Sequence, residues 1–213
     1  QRCMAQLEAQ HVDKVGKPTL ILDLDGTLIA TSRQAGLHAK LDFVVEFDPQ
    51  EQPVWVCKRP GLDDFLSKAS QLFEVVVFSL GKRAYVEKMR EKIDPSGSLV
   101  AFWLSRDSCS GSDAIKEYKD LNSPSFGRDL RRVVWVDDFR DSFRMNLESG
   151  IVVPMFRNSS SGNDRVLMDL WPHLETLATY GPDVDVRAAL LSLPLPLLES
   201  NLARAISRPK LCM

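Results

Sequence analysis

Thr19-Leu20-Ile21-Leu22-Asp23-Leu24-Asp25-Gly26-Thr27 is the stretch from which the rest of the chain can be read. The apolar run that ends at Leu22 has the composition of a strand buried on both faces. Side chains alternate along a strand, so Asp23 and Asp25 project to one side while Leu24 turns back into the core. Two carboxylates then share one small volume. Gly26 permits the tight turn that stops the strand, and it leaves backbone N–H groups open to an anion. Such a strand end suits phosphoryl transfer, with one carboxylate attacking phosphorus while its neighbour handles protons. An ordinary Asp-Gly turn beside a solvated carboxylate is the competing reading, and the apolar strand in front weighs against it.

The 213 residues are 44% hydrophobic and 26% charged, enough for one good-sized core. With 27 basic against 29 acidic side chains and a net charge of −2, no broad basic field exists, which argues against nucleic acid as a partner. No run approaches the roughly 18 apolar residues of a membrane span. The chain begins at Gln1 rather than Met, so any presequence or membrane anchor is expected upstream of it. Cys3, Cys57, Cys109 and Cys212 are scattered without a Cys-x-x-Cys pair, which argues against a zinc site and against a disulfide framework and favours buried or incidental thiols. His11, His38 and His173 lack partners at metal-ligand spacing.

Strand-like runs alternate with segments of helical period, the pattern of a parallel sheet covered by helices in an α/β fold. Phe43 to Phe47 and Val54 to Cys57 read as a hairpin inserted after the first strand. Pro60-Gly61 opens a helix with Leu62, Phe65, Leu66, Ala69 and Leu72 on one face, and the strand Val75 to Phe78 follows. A helix from Lys82 to Ile93 ends at Asp94-Pro95-Ser96-Gly97. Further strands are expected at Ala101 to Leu104, Val133 to Val136 and Ile151 to Val153, then a helix from Asp164 to Thr179. After Gly181 the pattern becomes irregular, and Leu193-Pro194-Leu195-Pro196-Leu197 reads as a tail packed on the body. Trp55, Trp103 and Trp135 fall in strand-like runs and are expected in the core.

The pair Asp137-Asp138 ends the run Val133 to Val136 as Asp23 and Asp25 end theirs. Two parallel strands ending in acids make a divalent-cation site. Magnesium takes hard oxygen ligands and needs one or two carboxylates, so Asp23, the carbonyl of Asp25 and Asp138 supply a suitable set, with Asp137 adjacent. Taken alone, Asp137-Asp138 would be a helix-capping pair. Ser79 closes Val75 to Phe78 at the same sheet edge, where a hydroxyl can hold a phosphoryl oxygen. Lys119 would add the positive charge that the transition state requires, with Lys116 as the alternative.

Asp23 to Thr27, Ser79, Lys119 and Asp137-Asp138 together match the four motifs of the haloacid dehalogenase superfamily, which this chain resembles. Lys58-Arg59-Pro60-Gly61, Arg106-Asp107-Ser108-Cys109, Lys119-Asp120-Leu121 and Gly127-Arg128-Asp129-Leu130 are similar to the phosphatases of the RNA polymerase II C-terminal domain, the NLI-interacting-factor-like group. Those phosphatases usually carry Thr-Ala-Ser where this chain has Ser79-Leu80-Gly81. Asp164 to Leu170, Leu174, Leu177-Ala178, Asp185-Val186-Arg187 and Leu190 are similar to the presequence-receptor subunits of the mitochondrial inner-membrane import translocase.

The resemblance implies a Rossmann-like domain over residues 18–181, between an N-terminal extension, 1–17, and a C-terminal tail, 182–213, with a small hairpin in place of a large cap. It implies Asp23 as nucleophile, Asp25 as acid and base, Thr27, Ser79 and Lys119 as phosphate-binding groups, and Mg²⁺ as cofactor. A phosphorylated protein is the implied substrate, since an open site suits a protein side chain better than an enclosed metabolite. The import-receptor likeness further implies precursor proteins and the translocation channel as partners, an upstream membrane anchor, and a location in the intermembrane space. The polymerase-phosphatase likeness implies the nucleus. A catalytically silent, precursor-binding scaffold is the contrasting reading.

Overall fold

The computed structural model describes residues 7–34, 40–112, 115–122, 126–157 and 163–192; Cys3, His38, Cys212 and the Leu193 to Leu197 stretch lie outside them. Thr19–Leu22 forms β1, the middle strand of a five-stranded parallel sheet. Its neighbour on one side is β5 (Glu74–Phe78), which pairs onward with β6 (Phe102–Leu104). On the other side lies β9 (Val133–Asp137), with Leu22 opposite Val136, and β10 (Gly150–Val152) forms the edge. Every residue of β1, β5 and β9 is buried, which is what continuous apolar runs demand of a sheet covered on both sides.

The two faces separate by the period of the strand. Leu20, Leu22, Val75, Val77, Val134 and Val136 join a core with α1 (Leu62–Leu72), the later turns of α2 (Arg83–Ile93) and α3 (Val166–Ala178). Ile21, Val76, Phe78, Val133 and Trp135 face the other way, against Leu7, Cys109, Leu121, Phe126 and Phe143. Trp135 is fully buried, whereas Trp55 and Trp103 are half-buried. No helix among the described residues is long and apolar enough to cross a membrane.

Two local expectations need correction, and one hairpin was not expected. The inserted hairpin is a three-stranded antiparallel sheet, in which β4 (Val54–Lys58) lies between β2 (Ile29–Ser32) and β3 (Phe43–Val45). Ile29-Ala30-Thr31-Ser32 carries too few apolar residues to announce a strand, and Phe47 leaves the sheet to stack on Tyr85. A second hairpin, β7 (Ser110–Ser112) with β8 (Ile115–Tyr118), leads directly into Lys119; Ser-Gly-Ser has no strand propensity of its own. Beyond Gly181 the chain forms α4 (Val186–Ser192), whose Val186 and Leu190 are buried in the main core. A helix this short is marginal in water and is held by packing rather than by propensity.

If α4 belongs to the core, Leu190→Ala should lower stability by about 2–4 kcal/mol, as a buried truncation does. Denaturant unfolding checks this, and a loss below about 0.5 kcal/mol, typical of a surface position, would place α4 outside the cooperative unit.

Candidate active site

At the end of β1 the backbone ladder continues one residue further, with the Asp23 N–H donating to Val136 O at 2.9 Å. The chain then reverses: Leu28 and Ile29 N–H groups both return to Leu24 O, at 2.9 and 3.0 Å. Gly26 sits inside this reversal at φ +91°, a conformation that L side chains rarely adopt. Its N–H donates to Ile29 O at 2.8 Å, and its own carbonyl accepts from Phe156 at 2.7 Å. A Cβ on Gly26 would lie 2.8 Å from Asp138 Oδ2, so glycine is also what lets Asp138 approach the loop.

Lys119 is fully buried, and its ammonium lies between Asp23 Oδ1 at 2.7 Å and Asp137 Oδ2 at 2.8 Å. The rings of Phe78 and Trp135, each 5.7 Å away, wall it in. Burial pulls the lysine down, yet the two carboxylates more than offset this and hold it above its ordinary value. Asp23 is pushed up to about 8, first by burial and then by the charge of Asp137, against the pull of Lys119. Thr27 Oγ1 donates to Asp23 Oδ2 at 3.2 Å and accepts from the Asp138 N–H at 3.0 Å, so one hydroxyl ties both strand ends together. Asp137 is further engaged through Oδ1 by the Phe139 N–H at 2.9 Å and Ser142 Oγ at 3.0 Å.

Asp25 lies at the open side of the same cluster. Ser79 Oγ is 3.5 Å from Oδ2, and the Tyr85 hydroxyl donates to Oδ1. Although Asp25 keeps exposed surface, its carboxyl is hemmed in by protein on most sides, and the loss of water raises its pKa; the Tyr85 bond is the largest influence in the other direction. A carboxyl held upward in this way keeps its proton more readily than an ordinary carboxyl, as a group that must deliver one requires. The cavity above these groups measures about 530 Å³, with Thr31, Arg33, Leu80 and Arg106 on its sides.

The structure thus brings Asp23, Asp25, Thr27, Ser79, Lys119, Asp137 and Asp138 to one edge of the sheet. Ligand oxygens of Asp23, Asp137 and Asp138 all lie within 4.8 Å of one another. The donors are hard oxygens, and the Gly26 turn leaves room for Asp138 beside them, so the set fits Mg²⁺. Both oxygens of Asp137 already serve Lys119, Phe139 and Ser142, so of the Asp137-Asp138 pair Asp138 is the better-placed ligand.

Sequence reasoning missed Tyr85 and the role of Arg59. Arg59 is buried; it donates to Asp164 through Nε at 3.0 Å, to Thr27 O at 3.0 Å and to Pro154 O at 2.7 Å. It clamps the Thr27 turn to the start of α3. Tyr85 could have been found from the rule that ligands bind beyond the carboxyl ends of parallel strands, since α2 begins five residues after β5.

Residues 18–186 match the family described as NLI interacting factor-like phosphatase. The chain belongs to this family, within the haloacid dehalogenase superfamily. Among curated relatives, it is 37% identical over 161 residues to a CTD small phosphatase-like protein 2 of Dictyostelium discoideum, covering 76% of this chain and 27% of that protein. It is 38% identical over 152 residues to the mitochondrial import inner membrane translocase subunit TIM50 of Candida albicans, covering 71% of this chain and 31% of that subunit. The chain therefore spans about a third or less of the length of these two relatives. The solved structure of Fcp1, an RNA polymerase II CTD phosphatase, superposes with a TM-score of 0.54 at 26% identity, over 92% of this chain and 55% of that one. The α/β fold with its central parallel sheet is shared.

Gly26→Ala should crowd Asp138 and strain the turn, so the Mg²⁺ concentration that gives half-maximal thermal stabilisation should rise at least about tenfold. Melting curves across a magnesium series, with calcium as comparison, check this without reference to turnover.

Proposed function

We propose that this chain is a Mg²⁺-dependent phosphoprotein phosphatase domain that works through an aspartyl-phosphate on Asp23. The observation that carries this reading is the buried Lys119 ammonium bridging Asp23 and Asp137, with Asp25 and Asp138 alongside. A pure binding scaffold has no physical need to bury these charges at one sheet edge.

In the first step an Asp23 oxygen attacks phosphorus, the bond to the substrate oxygen breaks, and Asp25 gives that oxygen a proton. In the second, Asp25 takes a proton from water as the water oxygen attacks phosphorus, releasing inorganic phosphate and restoring the Asp23 carboxylate. Lys119 keeps Asp23 oriented and supplies positive charge to the transferring group, while Thr27 and Ser79 offer hydroxyls to its oxygens. Asp23, Asp138 and the Asp25 carbonyl would hold Mg²⁺, and the chemistry supplied by that ion would be neutralisation of charge on the phosphoryl group. The shallow insertion sheet leaves the 530 Å³ cavity accessible to a side chain carried by a protein.

Asp23→Asn should abolish magnesium-dependent hydrolysis of a phosphoserine peptide, and Asp25→Asn should reduce it about 10²- to 10⁴-fold. Asp138→Ala should raise the magnesium requirement, whereas Asp137→Ala should act chiefly by unseating Lys119, with a larger loss of thermal stability. Phosphate-release assays over a magnesium titration, paired with melting curves, check both; turnover retained in Asp23→Asn would overturn the mechanism.

The likeness to TIM50 favours a second, compatible reading, in which the domain belongs to a receptor subunit of the mitochondrial import translocase, anchored upstream and facing the intermembrane space. The likeness to the CTD small phosphatases supports the nucleus as the alternative setting. A receptor of that kind recognises basic amphipathic helices by an apolar groove with acidic edges, where charge speeds encounter and apolar contact supplies affinity. Calorimetry with a presequence peptide should show weak binding that falls as salt rises and is equal for Asp23→Asn. Equal binding of a scrambled, non-amphipathic control would overturn the receptor reading and leave the phosphatase.

A further inference from the structure

Tyr85 touches the proposed acid–base group, yet the four-motif mechanism gives it no part. It stands in the first turn of α2, half-buried, and its hydroxyl donates to Asp25 Oδ1. Its ring stacks on Phe47 with centroids 6.0 Å apart and planes 23° apart, and the Lys88 ammonium lies 5.9 Å over the Phe47 ring. Phe47, just beyond β3, and α2 thereby hold the phenol in place from behind. On the other side of the carboxyl, Ser79 Oγ is 3.5 Å from Oδ2, so Asp25 is bracketed by two hydroxyls.

Gly81 makes this arrangement sterically possible. A Cβ there would come within 2.6 Å of Tyr85 Cδ1 and 3.1 Å of Ser79 Oγ. The Gly81 backbone is not in the left-handed region, so what glycine supplies here is space alone. Its N–H also donates to Ser79 Oγ at 2.9 Å, fixing the second hydroxyl.

We propose that Tyr85 is a positioning residue that keeps Asp25 aimed at the leaving oxygen, and that Gly81 is the residue that admits it. The inference rests on the phosphatase reading and deepens it. Asp25 must reach the leaving oxygen as the Asp23–phosphorus bond forms, and a misplacement of about 1 Å is enough to slow such a transfer about 10²-fold. A serine alkoxide requires that proton in the transition state. A nitrophenolate leaves without it, so the two leaving groups separate a loss of proton delivery from a general loss of structure.

The test is single-turnover kinetics, enzyme in excess, with a phosphoserine peptide and with nitrophenyl phosphate. Wild type, Tyr85→Phe, Gly81→Ser and the double variant are compared; Tyr85→Phe keeps the ring and its stack on Phe47. Tyr85→Phe should slow peptide dephosphorylation about 10- to 100-fold while nitrophenolate release stays within about threefold of wild type. Gly81→Ser should show the same selectivity, and the double variant should be no worse than the poorer single one, because both changes remove one interaction. Equal losses on both substrates, or no loss on either, would overturn the positioning role and leave the phosphatase intact. A wild type that turns over neither substrate would overturn the phosphatase reading itself, and this inference with it.

Discussion

The Lys119 ammonium buried between Asp23 and Asp137 is the interaction around which the rest of this molecule is arranged. Removing one partner from a buried charge cluster typically destabilises by about 3–5 kcal/mol, because the remaining charge is left without water or counter-ion. Three separate segments must therefore arrive together: the end of β1, the end of β9 and the strand-like hairpin that delivers Lys119. The parallel pairing of β1 with β9 brings the two acids to the same level, with Leu22 opposite Val136. Phe78 and Trp135 then exclude water from the cation.

Such a site is electrically unfinished without something more. Asp23, Asp137 and Asp138 cluster around the single charge of Lys119; loss of water raises both Asp23 and Asp25, and for Asp23 the charge of Asp137 adds to it. A divalent cation there would reverse the sign of that local field and favour the ionised form of Asp23. On the proposed function, the same cluster would give a metal its oxygen donors, and the metal-free protein would be a poor nucleophile.

A second, entirely structural set of buried charges supports the frame. Arg59 joins Asp164, Thr27 O and Pro154 O, so the turn that carries Thr27 is clamped to the start of α3. At the opposite end of the sheet Arg128 grips Glu74 with two bonds of 2.7 Å and reaches Glu8 O at 2.8 Å, which docks the N-terminal segment. Both arginines act through planar, several-donor geometry that a lysine could not reproduce.

The sequence alone determined the parallel sheet, its covering helices and the acids at its edge, because those features are written locally. Apolar runs mark strands buried on both faces, and acids at their ends lie at the carboxyl edge wherever such strands pair. Asp23, Asp25, Asp137 and Asp138 were legible for that reason. Tyr85 and Arg59 were not, since each acts through a partner distant in the chain, Asp25 for Tyr85 and Asp164 for Arg59; Gly81 was not, since the space it leaves matters only once the Tyr85 ring is placed. The strand Ile29–Ser32 and the helix Val186–Ser192 were likewise hidden, as pairing with β4 and burial of Val186 and Leu190 stabilise segments whose own propensities are weak. The sequence specifies which groups do chemistry; only the tertiary structure decides which groups hold them still, because that depends on distances between segments that no local pattern encodes.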